Sequence, residues 1–126
     1  MNEFTDHIKQ KIKLLVETIT KRSIGNQCPK GFCFSTSFAL SVYFNSQEIR
    51  NFISVGKMNN TVHFWLNLID YDDIIIDATI KQFDKNQDIY IGNISDNKTT
   101  EQYKPKCISF NDWIDLYEIW CNPEFD

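Results

Sequence analysis

The sequence predicts an α+β domain in which two helices precede a small antiparallel sheet. Three observations carry this. Apolar residues recur at helical spacing near the N-terminus, a second helical stretch of small and aromatic residues begins at Cys33, and the segments after residue 50 alternate apolar and polar residues with turn signals between them. With 126 residues, the chain suits one domain spanning 1–126, with no linker or internal repeat.

The first helix is predicted over residues 4–20, where Phe4, Ile8, Ile12, Leu15, Val16 and Ile19 share one face. Lys9, Lys11, Lys13, Lys21 and Arg22 fall between them or just beyond, and they read as its wet side. Residues 23–32 contain Gly25, Pro29 and Gly31 and read as a loop. A second helix runs from Cys33 to about Phe44, with Phe34, Phe38 and Val42 as the stripe that meets the sheet and small residues Ser37, Ala39 and Ser41 permitting close approach.

Residues 51–57 form a short strand, and residues 62–69 alternate clearly. Val62, Phe64, Leu66 and Leu68 face one way, while His63, Trp65 and Asn67 face the other. Asp70-Tyr71-Asp72-Asp73 is a turn, 74–80 the next strand, and 89–91 a further one. Residues 93–106 read as loop, and 110–120 as a closing helix.

Composition narrows the function. The net charge of −4 has the wrong sign for a surface that neutralises phosphates, so no nucleic-acid partner is expected. No apolar run reaches the ~20 residues of a membrane span, and the acidic start lacks a signal peptide's apolar core. A cytoplasmic setting follows as the expectation, with signal-less export as an effector left open, and four cysteines there are expected reduced. Abundant Asn, Lys and Ile hint at an AT-rich genome, bacterial or phage.

Three separated segments read as one chemical device. Cys33 stands where a helix begins, and the positive end of the helix dipole there favours a thiolate and offers N–H groups to an oxyanion. Gly31 lets the loop approach a substrate, and Gln27 could add a side-chain N–H. His63, on an otherwise apolar strand, could take the thiol proton and return it to a leaving group. Asp77, inside Ile74-Ile75-Ile76-Asp77, needs a partner, and an imidazole N–H is the natural one. A hairpin about residues 70–73 with even register puts His63 and Asp77 on one face, directly opposite or one diagonal apart.

Each member has a bland reading beside this: a small buried core thiol, a satisfied strand histidine, a turn-capping aspartate. Cys28 is a rival nucleophile without a helix start. Cys107 and Cys121 read as structural. A zinc site from the four cysteines would need intervals of four and thirteen intervening residues, unlike the close pairs of common zinc motifs, so neither metal nor cofactor is expected.

Gln27 followed six residues later by Cys33 resembles the oxyanion glutamine and nucleophile of papain-like proteases. His63-Phe64-Trp65 and Ile76-Asp77-Ala78-Thr79 are instead similar to the transglutaminase-like branch, including small uncharacterised bacterial proteins of that branch. The resemblance covers about residues 27–92. Phe34 departs from the tryptophan that usually follows a papain cysteine, and Asp77 from the usual asparagine. The resemblance implies a papain-like/transglutaminase-like fold, with Cys33 as nucleophile, His63 as base, Asp77 as orienter, and Gln27, Gly31 and Trp65 lining the oxyanion or substrate side.

The expected reaction is thiol-dependent acyl transfer or hydrolysis of an amide in a protein or peptide, of the protein-glutamine deamidase or transglutaminase type. A cysteine peptidase or amidase is the alternative within the class, and a catalytically inert binding or inhibitor domain the alternative outside it. Substrate identity and oligomeric state are not written in these residues.

Overall fold

The computed structural model describes residues 2–23 and 32–105. Two helices, α1 (Asp6–Ser23) and α2 (Cys33–Ser46), precede four antiparallel strands: β1 (Asn51–Met58), β2 (Thr61–Leu68), β3 (Ile74–Asp77) and β4 (Tyr90–Asn93). A two-residue strand, β5 (Lys104–Pro105), pairs with the outer edge of β1, giving the order β4-β3-β2-β1-β5. The fold is a small α+β arrangement of two helices and a four-strand antiparallel sheet, with β5 as an addition at its edge.

Helix α1 starts at Asp6 because Thr5 caps it, its hydroxyl accepting the Ile8 N–H at 3.3 Å. Asp6 in the first turn and Lys21 and Arg22 in the last both suit the helix dipole. Ile12 and Val16 are buried against α2 and the sheet, and the lysines of α1 face solvent, as the spacing predicts. Phe4, just before the helix, packs edge-on to Tyr71 with ring centroids 5.1 Å apart.

The buried side of α2 differs from the expected stripe. Cys33, Phe34, Thr36, Ser37, Leu40 and Phe44 are buried, whereas Val42 is 54% exposed. Steps of four residues advance about 40° beyond a full turn each time, so Phe34, Phe38 and Val42 walk progressively out of the interface. Alternating steps of three and four, through Cys33, Ser37, Leu40 and Phe44, stay on it.

Strands β1 and β2 form a two-residue hairpin closed by Met58 opposite Thr61. Asn59 and Asn60 at its tip have φ of 52° and 63°, the left-handed values that such tight turns require and that asparagine tolerates. The strand therefore runs on past Gly56, which lies opposite His63. β2 pairs with β3 through Leu66–Ile76 and Asn67–Ile75.

Alternation along β2 divides the core as expected. Leu66 and Leu68 join Ile12, Val16, Leu40, Phe44, Ile74 and Ile76 beneath the helices, while Val62 and Phe64 pack with Cys33, Phe34 and Val55. Trp65 turns the other way, to Met58, Ile75 and Tyr103. Both faces of the sheet centre are thus shielded from water, the condition under which a polar pair must satisfy itself internally.

The strand predicted over 74–80 stops at Asp77. Its side chain accepts the Thr79 N–H at 2.9 Å and turns the chain into a short 3₁₀ helix, Ile80–Gln82. The stretch predicted as loop carries two further 3₁₀ turns, Ile94–Asp96 and Thr100–Gln102, before β5. The predicted closing helix over 110–120 lies outside the described residues.

Candidate functional site

The site is assembled from elements far apart in the chain. Cys33 is the first residue of α2, whose N-cap Phe32 makes no side-chain capping hydrogen bond. His63 comes from β2 and Asp77 from the end of β3, one diagonal apart when the β2–β3 register is continued by a residue pair. The structure brings these side chains together. His63 Nε2 lies 2.7 Å from Asp77 Oδ2, and Cys33 lies near enough to act electrostatically on the same imidazole.

All three are buried: Cys33 is 2%, His63 0% and Asp77 1% exposed. Burial pushes His63 toward its neutral form, but the charge and hydrogen bond of Asp77, aided by Cys33, outweigh it and raise its pKa to about 9. Burial likewise opposes ionisation of Asp77. The His63 charge outweighs it, with hydrogen bonds from His63, Tyr103 and the Thr79 N–H, and the carboxyl is held below the usual carboxylate range. Both shifts run toward the charged forms, His63 upward and Asp77 downward, each driven by the other partner.

Three further residues hold the pair in place. Thr79 donates both its N–H, at 2.9 Å, and its hydroxyl, at 3.3 Å, to Asp77 Oδ1. The Tyr103 hydroxyl donates to Asp77 Oδ2. Gln82 places Nε2 3.1 Å from His63 Nδ1 and 3.2 Å from Thr79 Oγ1. Thr79 had a local signal, since Asp-x-Thr is a familiar side-chain-to-backbone turn. Gln82 and Tyr103 had none, because only the folded chain brings them to the site.

Aromatic rings enclose the imidazole. Phe83 and Tyr103 meet it edge-on at 4.8 Å and 5.1 Å, and Trp65 stacks on it at 5.8 Å. Trp65, expected on the substrate side, is 1% exposed and packs against both His63 and Tyr103, whose ring centroid is 5.0 Å away. In this arrangement its contacts are with the rings of the site. A cavity of about 490 Å³ opens beside Tyr103, bounded by the Asn59-Asn60 turn, Lys57, Met58, Glu101 and Gln102.

Gln27 and Gly31, assigned to the oxyanion side, and the rival Cys28 lie outside the described residues, as do Cys107 and Cys121. Among the described residues, no group of three or more His, Cys, Asp or Glu side chains could hold a metal ion. Nor is any helix among them long and apolar enough to cross a membrane.

Chemically, the arrangement offers a buried thiol, an imidazole, and a carboxylate bonded to one of the imidazole's nitrogens. Gln82 complements either charge state of the ring. Its N–H suits a neutral Nδ1, and its carbonyl oxygen suits a protonated one. No protein-family model, curated protein or solved structure matches the chain.

Proposed function

We propose that the protein is a thiol-dependent acyltransferase or amide hydrolase of the papain-like/transglutaminase-like kind, with Cys33 as nucleophile, His63 as general base and acid, and Asp77 as orienter. The observation that carries the reading is the junction at His63: one nitrogen bound to a buried Asp77 carboxylate, with the buried thiol at the start of a helix acting electrostatically on the ring. The order of helix, strand and neighbouring strand supports the fold assignment as well.

In the proposed reaction the Cys33 thiol gives its proton to His63 and the sulfur attacks an amide carbonyl carbon. The proton held by His63 passes to the departing nitrogen as the carbon–nitrogen bond breaks, leaving a thioester on Cys33. Water, or a second amine, then gives a proton to His63 and attacks the thioester carbon; the carbon–sulfur bond breaks and His63 returns the proton to the sulfur, restoring the thiol. A glutamine side-chain amide is the favoured substrate, in keeping with the similarity of His63-Phe64-Trp65 and Ile76-Asp77-Ala78-Thr79 to the transglutaminase-like branch. Ammonia would be the leaving group.

A second reading has its own observation. The near-complete burial of Cys33 and His63 suits an inert domain in which the three residues serve packing. Site-resolved alkylation with iodoacetamide between about pH 5 and pH 9, read by peptide mass spectrometry, separates the two. Labelling of Cys33 that outpaces the other cysteines and slows in His63→Ala is the expected outcome. Uniformly slow labelling, insensitive to His63, would leave the inert reading standing.

A further inference from the structure

We propose that Tyr103 is a positioning residue for the His63–Asp77 pair: its hydroxyl fills the last acceptor site of the buried carboxylate and holds it ionised and turned toward the imidazole.

The argument begins with the inventory of acceptor sites. A carboxylate offers about four lone-pair directions. Asp77 receives four donors, the Thr79 N–H and hydroxyl on Oδ1 and His63 Nε2–H and the Tyr103 hydroxyl on Oδ2. Among the described residues no other donor reaches this oxygen, and Asp77 is 1% exposed. Without the phenol, one lone pair of a buried charge is left bare.

The placement of Tyr103 is equally specific. It directly precedes β5, whose Lys104 pairs with Lys57, next to Gly56, which in turn lies opposite His63. Its N–H is bonded to the Thr100 carbonyl at 3.0 Å, closing the preceding 3₁₀ turn. Its ring contacts both His63 and Trp65. A phenylalanine would satisfy every one of these contacts except the hydroxyl, which isolates the hydroxyl as the element to test.

The titratable groups facing the pair are few. Cys33 approaches from α2 and His63 from β2. Tyr90 stands opposite Asp77 on β4, with its own hydroxyl donated to the Asn93 carbonyl at 2.6 Å. Lys57 and Glu101 border the cavity beside the Tyr103 ring. Burial, reinforced by the charges of Asp77 and Cys33, pushes the Tyr103 phenol far up, so it remains a donor at any working pH.

The catalytic consequence of this assignment rests on the function proposed above, while the hydrogen bond itself does not. The test follows the Asp77 side-chain carboxyl by carbon NMR during an acid titration of the intact protein. In Tyr103→Phe the Asp77 midpoint should rise by about one pH unit, the effect of removing one hydrogen bond to a buried charge. An unchanged midpoint in a folded Tyr103→Phe protein overturns the proposal.

If Tyr103→Phe fails to fold, 3-fluorotyrosine at position 103 supplies the second measurement. The slightly stronger donor should lower the Asp77 midpoint, and its fluorine signal should move with that same titration. A fluorine signal indifferent to Asp77 ionisation overturns the proposal as well. Iodoacetamide labelling of Cys33 in the same variants keeps the two ideas apart. A shifted Asp77 midpoint with an inert Cys33 supports the role of Tyr103 and sinks the enzymatic reading. A shifted midpoint with the acid limb of labelling moved in step supports both.

Discussion

His63 Nε2 and Asp77 Oδ2 lie 2.7 Å apart in a region from which solvent is excluded. Such a pair stabilises the fold only while both members carry their charges and keep their other hydrogen bonds. Its energetic behaviour can therefore be measured independently of any activity.

Removing one partner should be costly. Asp77→Ala leaves a buried imidazolium without its counter-charge, and the expected loss is about 3–5 kcal/mol. Urea denaturation of the variant beside the parent protein measures it. A loss below about 1 kcal/mol would mean that the pair is hydrated in solution.

The pH dependence follows from the two shifts. The folded pKa of His63 is raised to about 9, so its contribution is complete below the unfolded value of about 6.5 and fades as pH climbs through 9. The folded pKa of Asp77 is depressed, so its contribution is present above the unfolded carboxylate value and fades as pH falls through the folded one. The stability difference between the parent and Asp77→Asn should be greatest between about pH 4 and pH 6.5 and should shrink toward both sides. Thermal melts across that range test this, and a difference that grows steadily up to about pH 9 would contradict the assignment.

Gln82 offers a test of the other side of the ring. Gln82→Glu puts a carboxylate beside Nδ1, where the amide now sits 3.1 Å away, and should raise the His63 midpoint by about one further pH unit. Proton–nitrogen NMR of the imidazole reads it directly, with exposed His7 as a separate signal. An unmoved midpoint would show that the Gln82 side chain does not reach the ring.

The turn of α2 can be checked by two truncations. Phe44→Ala, at a fully buried position, should cost about 3–5 kcal/mol, whereas Val42→Ala, at a mostly exposed one, should change stability by less than about 0.5 kcal/mol. Comparable losses at both positions would place the helix in a different rotation.

Periodicity made most of the fold legible. α1 and the two faces of β2 follow from spacing alone, because each buries one side of a regular repeat. What escaped had a local cause. The end of β3 is decided by one side-chain bond from Asp77 to Thr79, and the exposure of Val42 by the drift of a four-residue repeat around the helix. The meeting of Cys33, His63 and Asp77 could be anticipated from residue types that demand partners. Tyr103 could not, because tyrosine is at home in any core and its bond to Asp77 spans 26 residues.

The sheet order has a mechanical consequence. His63 sits on β2 and Asp77 on its neighbour β3, inside a ladder flanked by β1 and β4, so their backbones cannot move apart without breaking strand pairing. Cys33 and Tyr103 reach them from outside that ladder, one at a helix start and the other beside a two-residue edge strand. Among the described elements, then, the strand ladder is the fixed anvil of this centre, and the helix start and the edge strand are the parts whose movement would leave strand pairing of the central ladder intact.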